Sequence, residues 1–180
     1  MKKREEILET IRRDPFLCGM LSCYERAALC MKGKRVLDYG CGYGWGSWIL
    51  SAQAHKVVGY DPDKERIDFA REIFSAPNIS FFSSQLGVQE GLYDAVCLFM
   101  VLPYAEEKKG ILKKAAARVK PGGCLWVSYK TAAPELTEVL AEWRRESQWR
   151  LGCREERYLS EAENIVTLVY YDSPLHEGLL

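Results

Sequence analysis

Residues 36–46 read Val-Leu-Asp-Tyr-Gly-Cys-Gly-Tyr-Gly-Trp-Gly, with a glycine at every second position from Gly40 to Gly46. Apolar residues closed by an acid, then by spaced glycines, then by a helix-forming stretch predict a strand, a tight turn and a helix. Glycine lets the backbone turn sharply and approach a ligand closely. The helix that follows presents unpaired N–H groups above the strand end. Ligands bind at such strand ends in open α/β sheets, near the point where the strand order reverses. The segment therefore predicts both a fold class and a site.

The flanking sequence repeats the alternation. Lys2–Arg13 carries Ile7, Leu8 and Ile11 at helical spacing, and Asp14-Pro15 interrupts it. Leu17, Leu21, Tyr24, Ala28 and Met31 share the face of a second helix, which Gly33 stops. Strands are expected at 35–39, 56–60, 79–82, 93–102 and 124–129, with helices at 45–54, after Asp61, at 106–119 and at 134–147. Asp61-Pro62-Asp63 opens its helix: the first Asp can cap it, and proline suits the first turn. Pro121-Gly122-Gly123 turns the chain into the fifth strand. This alternation implies a parallel sheet with helices on both faces. Two last strands, 149–158 and 164–171, have only a short connection near Ser160, so they form an antiparallel hairpin at one edge.

Composition narrows the function. The chain has 180 residues, enough for one domain with a sizeable core. Lys plus Arg and Asp plus Glu each number 25, so the net charge is zero, which weighs against a nucleic-acid or membrane-surface binder. The longest apolar run, 95–102, is ended by Pro103, short of the ~20 residues a membrane span needs. No apolar signal core follows the charged N-terminus. The seven cysteines, at 18, 23, 30, 41, 97, 124 and 153, form no CxxC pair, and there are two histidines, so no metal site is expected. Reduced core thiols and a cytoplasmic location are expected. His55 and His176 read as surface residues, and the lysines of 106–119 as a solvated face.

A dinucleotide fingerprint, GxGxxG, needs a third glycine at Trp45, Ser47 or Ile49 in the three frames, and none is there. Asp61 stands 21 positions after Gly40 at the end of the second strand, where an acid can accept from two ribose hydroxyls. That role can coexist with capping, because the cap can pass to Asp63.

Together VLDYGCGYGWGS (36–47), VVGYDPDKERIDFAR (57–71), YDAVCLFMVL (93–102) and VKPGGCLWVS (119–128) resemble the class I, seven-strand family of S-adenosylmethionine-dependent methyltransferases. The resemblance covers about residues 20–130. It implies a doubly wound three-layer α/β/α sandwich with strand order 3-2-1-4-5-7-6, strand 7 antiparallel. It implies that Asp38 and the Gly40–Gly44 loop, with Cys41, Gly42 and Gly44, face the methionine part of the cofactor, and that Tyr39 is also a cofactor-binding residue. Asp61 would hold the ribose hydroxyls and Pro62 would pack near the adenine. Ser84, Gln85 and Leu86 would follow, with Gln85 where the family commonly has an acid facing the adenine amino group; a glutamine carbonyl can still accept from it. Phe99 and Met100 would lie near the transferring methyl, and Tyr24 and Tyr104 are further candidates for substrate contact.

The chain departs from the family mainly on the substrate side. Many small-molecule members carry an acid and a histidine after the fourth strand, whereas this chain has Pro103 and Tyr104. Val101-Leu-Pro-Tyr104 resembles part of the Asn/Asp-Pro-Pro-Tyr motif of amino-methylating DNA enzymes but lacks the amide or acid that would hold an exocyclic amine. Methyl transfer by in-line displacement needs mainly proximity and alignment, so no catalytic dyad is required, and no catalytic residue is assigned. Residues 1–32 are expected to form a helical cover on a methyltransferase domain of residues 33–180, favouring a small-molecule acceptor. Trp45, Trp48, Tyr43, Tyr104 and Tyr129 are candidates for lining its pocket. The competing expectations are a non-catalytic methyltransferase-like module acting through a partner, and an RNA or protein methyltransferase. The oligomeric state is not legible.

Overall fold

The computed structural model describes residues 2–88, 91–131, 133–158 and 164–171. Its elements run α1 (Lys2–Arg13), α2 (Pro15–Leu29), β1 (Arg35–Tyr39), α3 (Trp45–Ser51), β2 (Lys56–Tyr60), α4 (Lys64–Ile73), β3 (Ile79–Phe82), β4 (Tyr93–Phe99), α5 (Lys108–Ala116), β5 (Val119–Lys130), α6 (Pro134–Glu146), β6 (Arg150–Tyr158) and β7 (Asn164–Tyr171). Single 3-10 turns lie at Gln85–Val88 and Leu102–Tyr104.

The strands form one sheet in the order β3-β2-β1-β4-β5-β7-β6, as expected. β1 pairs in parallel with both β2 and β4, so the order reverses beside it. Side chains alternate across β1. Val36 and Asp38 face α2 and α3, packed among Val57, Ala95 and Cys97, while Leu37 and Tyr39 face α5 and α6. Both faces are covered, which is why every residue of β1 after Arg35 is buried and the run reads as continuously apolar but for the one acid. Each such aliphatic side chain contributes roughly 1.5–3 kcal/mol by leaving water.

β7 runs antiparallel between β5 and β6, as the hairpin reading required. The connection at 159–163 lies outside the described residues, as does His176. β6 ends the sheet, and its Arg154, Glu155 and Glu156 put charges on an edge that would otherwise invite pairing.

Several boundaries differ from the sequence reading. β4 stops at Phe99, not Leu102, because Met100 takes φ 56, a left-handed conformation that no strand continues. The stretch 121–123 is part of β5 rather than a turn before it; the ladder shifts register between Tyr93 and Ala95 to absorb it. α4 starts at Lys64, and Asp63 is the cap, accepting from the N–H groups of Glu65 and Arg66. Pro62 therefore precedes the helix, and Asp61 is free for another role. The helix at 45–54 ends at Ser51, and that at 106–119 is trimmed to Lys108–Ala116. Its lysines are not all solvated: Lys109 reaches Glu142 and Glu146 of α6.

α1 lies against the outside of α3 and α4. Arg4 donates to the Ile73 carbonyl from Nε (2.8 Å) and Nη2 (2.6 Å), and its guanidinium lies over the Trp48 ring. At the other end of the α1–α2 pair, Phe16 meets the Lys130 ammonium, 4.4 Å from its ring centre, at the end of β5. Among the described residues no helix is long and apolar enough to cross a membrane. Cys23, Cys41, Cys97 and Cys124 are buried, Cys18 is half-buried, and Cys30 and Cys153 are exposed, all as free thiols.

Candidate functional site

The end of β1 carries a fully buried carboxylate. Asp38 accepts from the Ser47 hydroxyl at 2.6 Å and from the Tyr24 hydroxyl at 3.2 Å (Oδ1) and 3.4 Å (Oδ2). Burial pushes Asp38 up to about 6; the Ser47 and Tyr24 hydrogen bonds oppose this, and nearby Asp61 adds to it. Burial first and the Asp38 charge next hold the Tyr24 phenol well above its ordinary range, so it remains a donor. The same two causes raise the Cys41 and Cys97 thiols, which are therefore poor nucleophiles.

Asp61, at the end of β2, is the second buried acid. Its Oδ2 accepts from the Gly42 N–H and its Oδ1 from the Asp63 N–H, both at 3.0 Å. A carboxylate has about four acceptor positions, so two remain for hydroxyl donors. Among the described residues neither Asp38 nor Asp61 is paired with Lys or Arg.

The glycines divide by what lies beyond them. A side chain at Gly46 would collide with the Tyr24 ring, so this glycine lets α2 and α3 close over Asp38. At Gly42, φ is 54 and nothing lies within 4 Å of where a Cβ would be. The loop thus keeps open space at Gly42, a cradle beside Asp61, with Asp38 two residues before the loop near the end of β1. That cradle, with its two uncompensated acids, fits a ligand with cationic and hydroxyl groups, as S-adenosylmethionine has. It is unsuited to a pyrophosphate, which two buried carboxylates repel.

The remaining predicted residues fall at graded distances from this centre. Tyr24 is buried, edge-on to Phe99 (centroids 4.7 Å) and Trp45 (5.1 Å). Phe99 and Met100 are buried at the end of β4, and the Met100 N–H donates to the Ser128 carbonyl at 3.0 Å. Tyr39 lies on the other side of the sheet, against Tyr60. The Gln85 amide donates to the Tyr39 hydroxyl at 3.4 Å, towards the α5 side. Ser84, Pro62, Leu86 (74% exposed) and Tyr104 (77%) are on the surface. Of the aromatic candidates, Tyr129 is buried on the α6 side, and Trp48 packs under Arg4. Tyr43 is exposed beside Phe69.

Two features escaped the sequence reading. Ser47, nine residues after Asp38, is buried and makes the shorter of its hydroxyl bonds. Its signal was a hydroxyl within the otherwise apolar first turn and a half of α3. The Gly42–Asp61 bond, which ties the loop to β2, had no sequence signal, because a backbone N–H is present at almost every position.

A family described as a methyltransferase domain matches residues 13–162. The ubiquinone biosynthesis O-methyltransferase of Vibrio parahaemolyticus is 29% identical over 102 residues, 53% of this chain and 43% of that protein. The chain spans about half the length of the curated relatives it matches. Among solved structures, the N-methyltransferase NodS of Bradyrhizobium japonicum with S-adenosylhomocysteine superposes with TM-score 0.75 at 17% identity, covering 89% of each chain. Magnesium protoporphyrin IX methyltransferase of Synechocystis with bound S-adenosylmethionine gives TM-score 0.71 at 18% identity, covering 91% of this chain and 84% of that one. At these identities the two structures establish the fold.

Proposed function

The chain belongs to the methyltransferase-domain family, and from that premise we propose that it transfers a methyl group from S-adenosylmethionine to a small-molecule acceptor, releasing S-adenosylhomocysteine. The observation that carries the proposal is the open space at Gly42 beside Asp61, in a loop that follows a second buried carboxylate, Asp38, neither acid being paired with Lys or Arg among the described residues. The cofactor, when bound, supplies an activated sulfonium methyl that a nucleophile displaces in line.

The protein's part is to bind, orient and exclude water. Gly42 admits the close approach, and the free acceptor positions of Asp61 suit a pair of vicinal hydroxyls. Asp38 lends a negative potential from beneath the loop without touching solvent. Phe99 and Met100 are buried apolar side chains at the end of β4, and Phe99 packs against Tyr24 of α2. Alignment of this kind is worth up to about 7–11 kcal/mol of a barrier. Among the described residues no histidine stands at the site, which suits a nucleophile that arrives unprotonated or ionises readily.

The Vibrio relative's named activity, O-methylation in ubiquinone biosynthesis, supports a small-molecule acceptor. The zero net charge supports it against RNA. The test is incubation with S-adenosylmethionine labelled in its methyl group, against pools of phenols, amines and carboxylates and, separately, RNA and protein. Label in a small product is expected. Label in polymer alone overturns the acceptor class, and binding of cofactor without transfer to any pool favours a non-catalytic module.

A further inference from the structure

Helix α2 reaches the site through one hydroxyl. Tyr24 donates to Asp38, its ring fills the space over Gly46, and its edges meet Trp45 at the start of α3 and Phe99 at the end of β4. Four elements therefore converge on one side chain. The ring alone would satisfy the packing. The hydroxyl is a different matter, since a buried hydroxyl costs free energy unless it finds a partner, and phenylalanine would fill the same volume without that cost. Its partner is a carboxylate that nothing cationic compensates. Tyr24 is also buried, 4% exposed, so it presents little surface to an acceptor.

We infer that Tyr24 is a positioning residue: its hydroxyl holds Asp38 ionised and oriented beneath the glycine loop, so that cofactor affinity depends on α2. This rests on the methyltransferase reading above. The groups that face Asp38 are Tyr24 from α2, Cys97 from β4, Cys41 from the loop, Asp61 from the end of β2 and the neutral Ser47 from α3. None of them is a cation, so the two hydroxyls are what favours the charged carboxylate. Removing one lets Asp38 take up its proton at higher pH. A neutral Asp38 lends no field to a sulfonium and turns one oxygen from acceptor to donor.

The experiment compares wild type with Tyr24→Phe, which keeps the ring and its packing. Affinity for S-adenosylmethionine is measured by calorimetry from about pH 5 to 8, and Asp38 is followed in the ligand-free protein by carboxyl 13C NMR. Thermal melting reports the fold. The expected result is a variant that melts near wild type, binds about tenfold more weakly at pH 7, and whose Asp38 titration and affinity midpoint both move to higher pH. An unchanged Asp38 titration overturns the inference. So does a raised titration with wild-type affinity, which would make the contact merely structural. Wild type that binds no S-adenosylmethionine would instead overturn the cofactor reading, whereas binding wild type with an unaffected variant removes only the role of Tyr24.

Discussion

Replacing Asp38 by Asn should make the protein more stable while weakening its proposed ligand. Asp38 has no exposed surface and titrates at about 6 in the folded chain, against about 3.9 when unfolded. Between those values the folded chain carries a proton that the unfolded chain has lost, so stability falls as pH rises through that window and stays low above it. A difference of roughly two pH units is worth about 3 kcal/mol. Asparagine keeps the shape and an acceptor oxygen for one of the two hydroxyls, and its environment no longer has to desolvate a charge. Urea unfolding of the ligand-free proteins near pH 4, 6 and 8 reads the effect. The variant should match wild type near pH 4 and exceed it by up to about 3 kcal/mol near pH 8. A variant less stable near pH 8, or a gap that does not change with pH, would mean that burial of the Asp38 charge does not destabilise the fold. The same variant should bind S-adenosylmethionine at least tenfold more weakly, the pattern expected where stability is given up for function.

Two glycines separate packing from ligand binding. Gly46→Ala forces a methyl into the Tyr24 ring, so about 1–3 kcal/mol of stability is lost despite alanine's better helix propensity, read by thermal melting. Gly42→Ala meets no neighbour and should cost about 1–2 kcal/mol, from φ 54 alone, while its methyl enters the open cradle. Its loss of affinity for S-adenosylmethionine should therefore exceed its loss of stability.

Much of this architecture was legible because the sequence signals are local and agree with one another. β1, β2, β3 and β7 fall on the expected residues, since each is a short run rich in β-branched or aromatic residues bounded on at least one side by Gly, Asp or Asn. The end of β4 was misread because apolar character continues through Leu102, while the backbone departs at Met100. A reversal of φ at a non-glycine residue leaves no trace in hydrophobicity. At the site, Asp38, Asp61 and the glycine loop were legible by residue type and order. Tyr24 was found by its register, yet its contact is with Asp38, 14 positions away, and only the crossing of α2 over β1 determines that. Gln85 was placed by its position after β3, and its amide meets the Tyr39 hydroxyl, a contact set by the path of the 3-10 turn.

The proposed S-adenosylmethionine site is the glycine loop at Gly42, with Asp61 beside it. The most direct measurement is a calorimetric titration of wild type and Asp61→Ala with S-adenosylmethionine, S-adenosylhomocysteine and NAD. One site of micromolar affinity is expected for the first two, at least tenfold weaker in the variant, which loses both the hydroxyl acceptors and the tie to the Gly42 N–H. No heat is expected with NAD. Folded wild type that fails to bind S-adenosylmethionine at millimolar concentration, or that binds NAD more tightly, would contradict the proposed site.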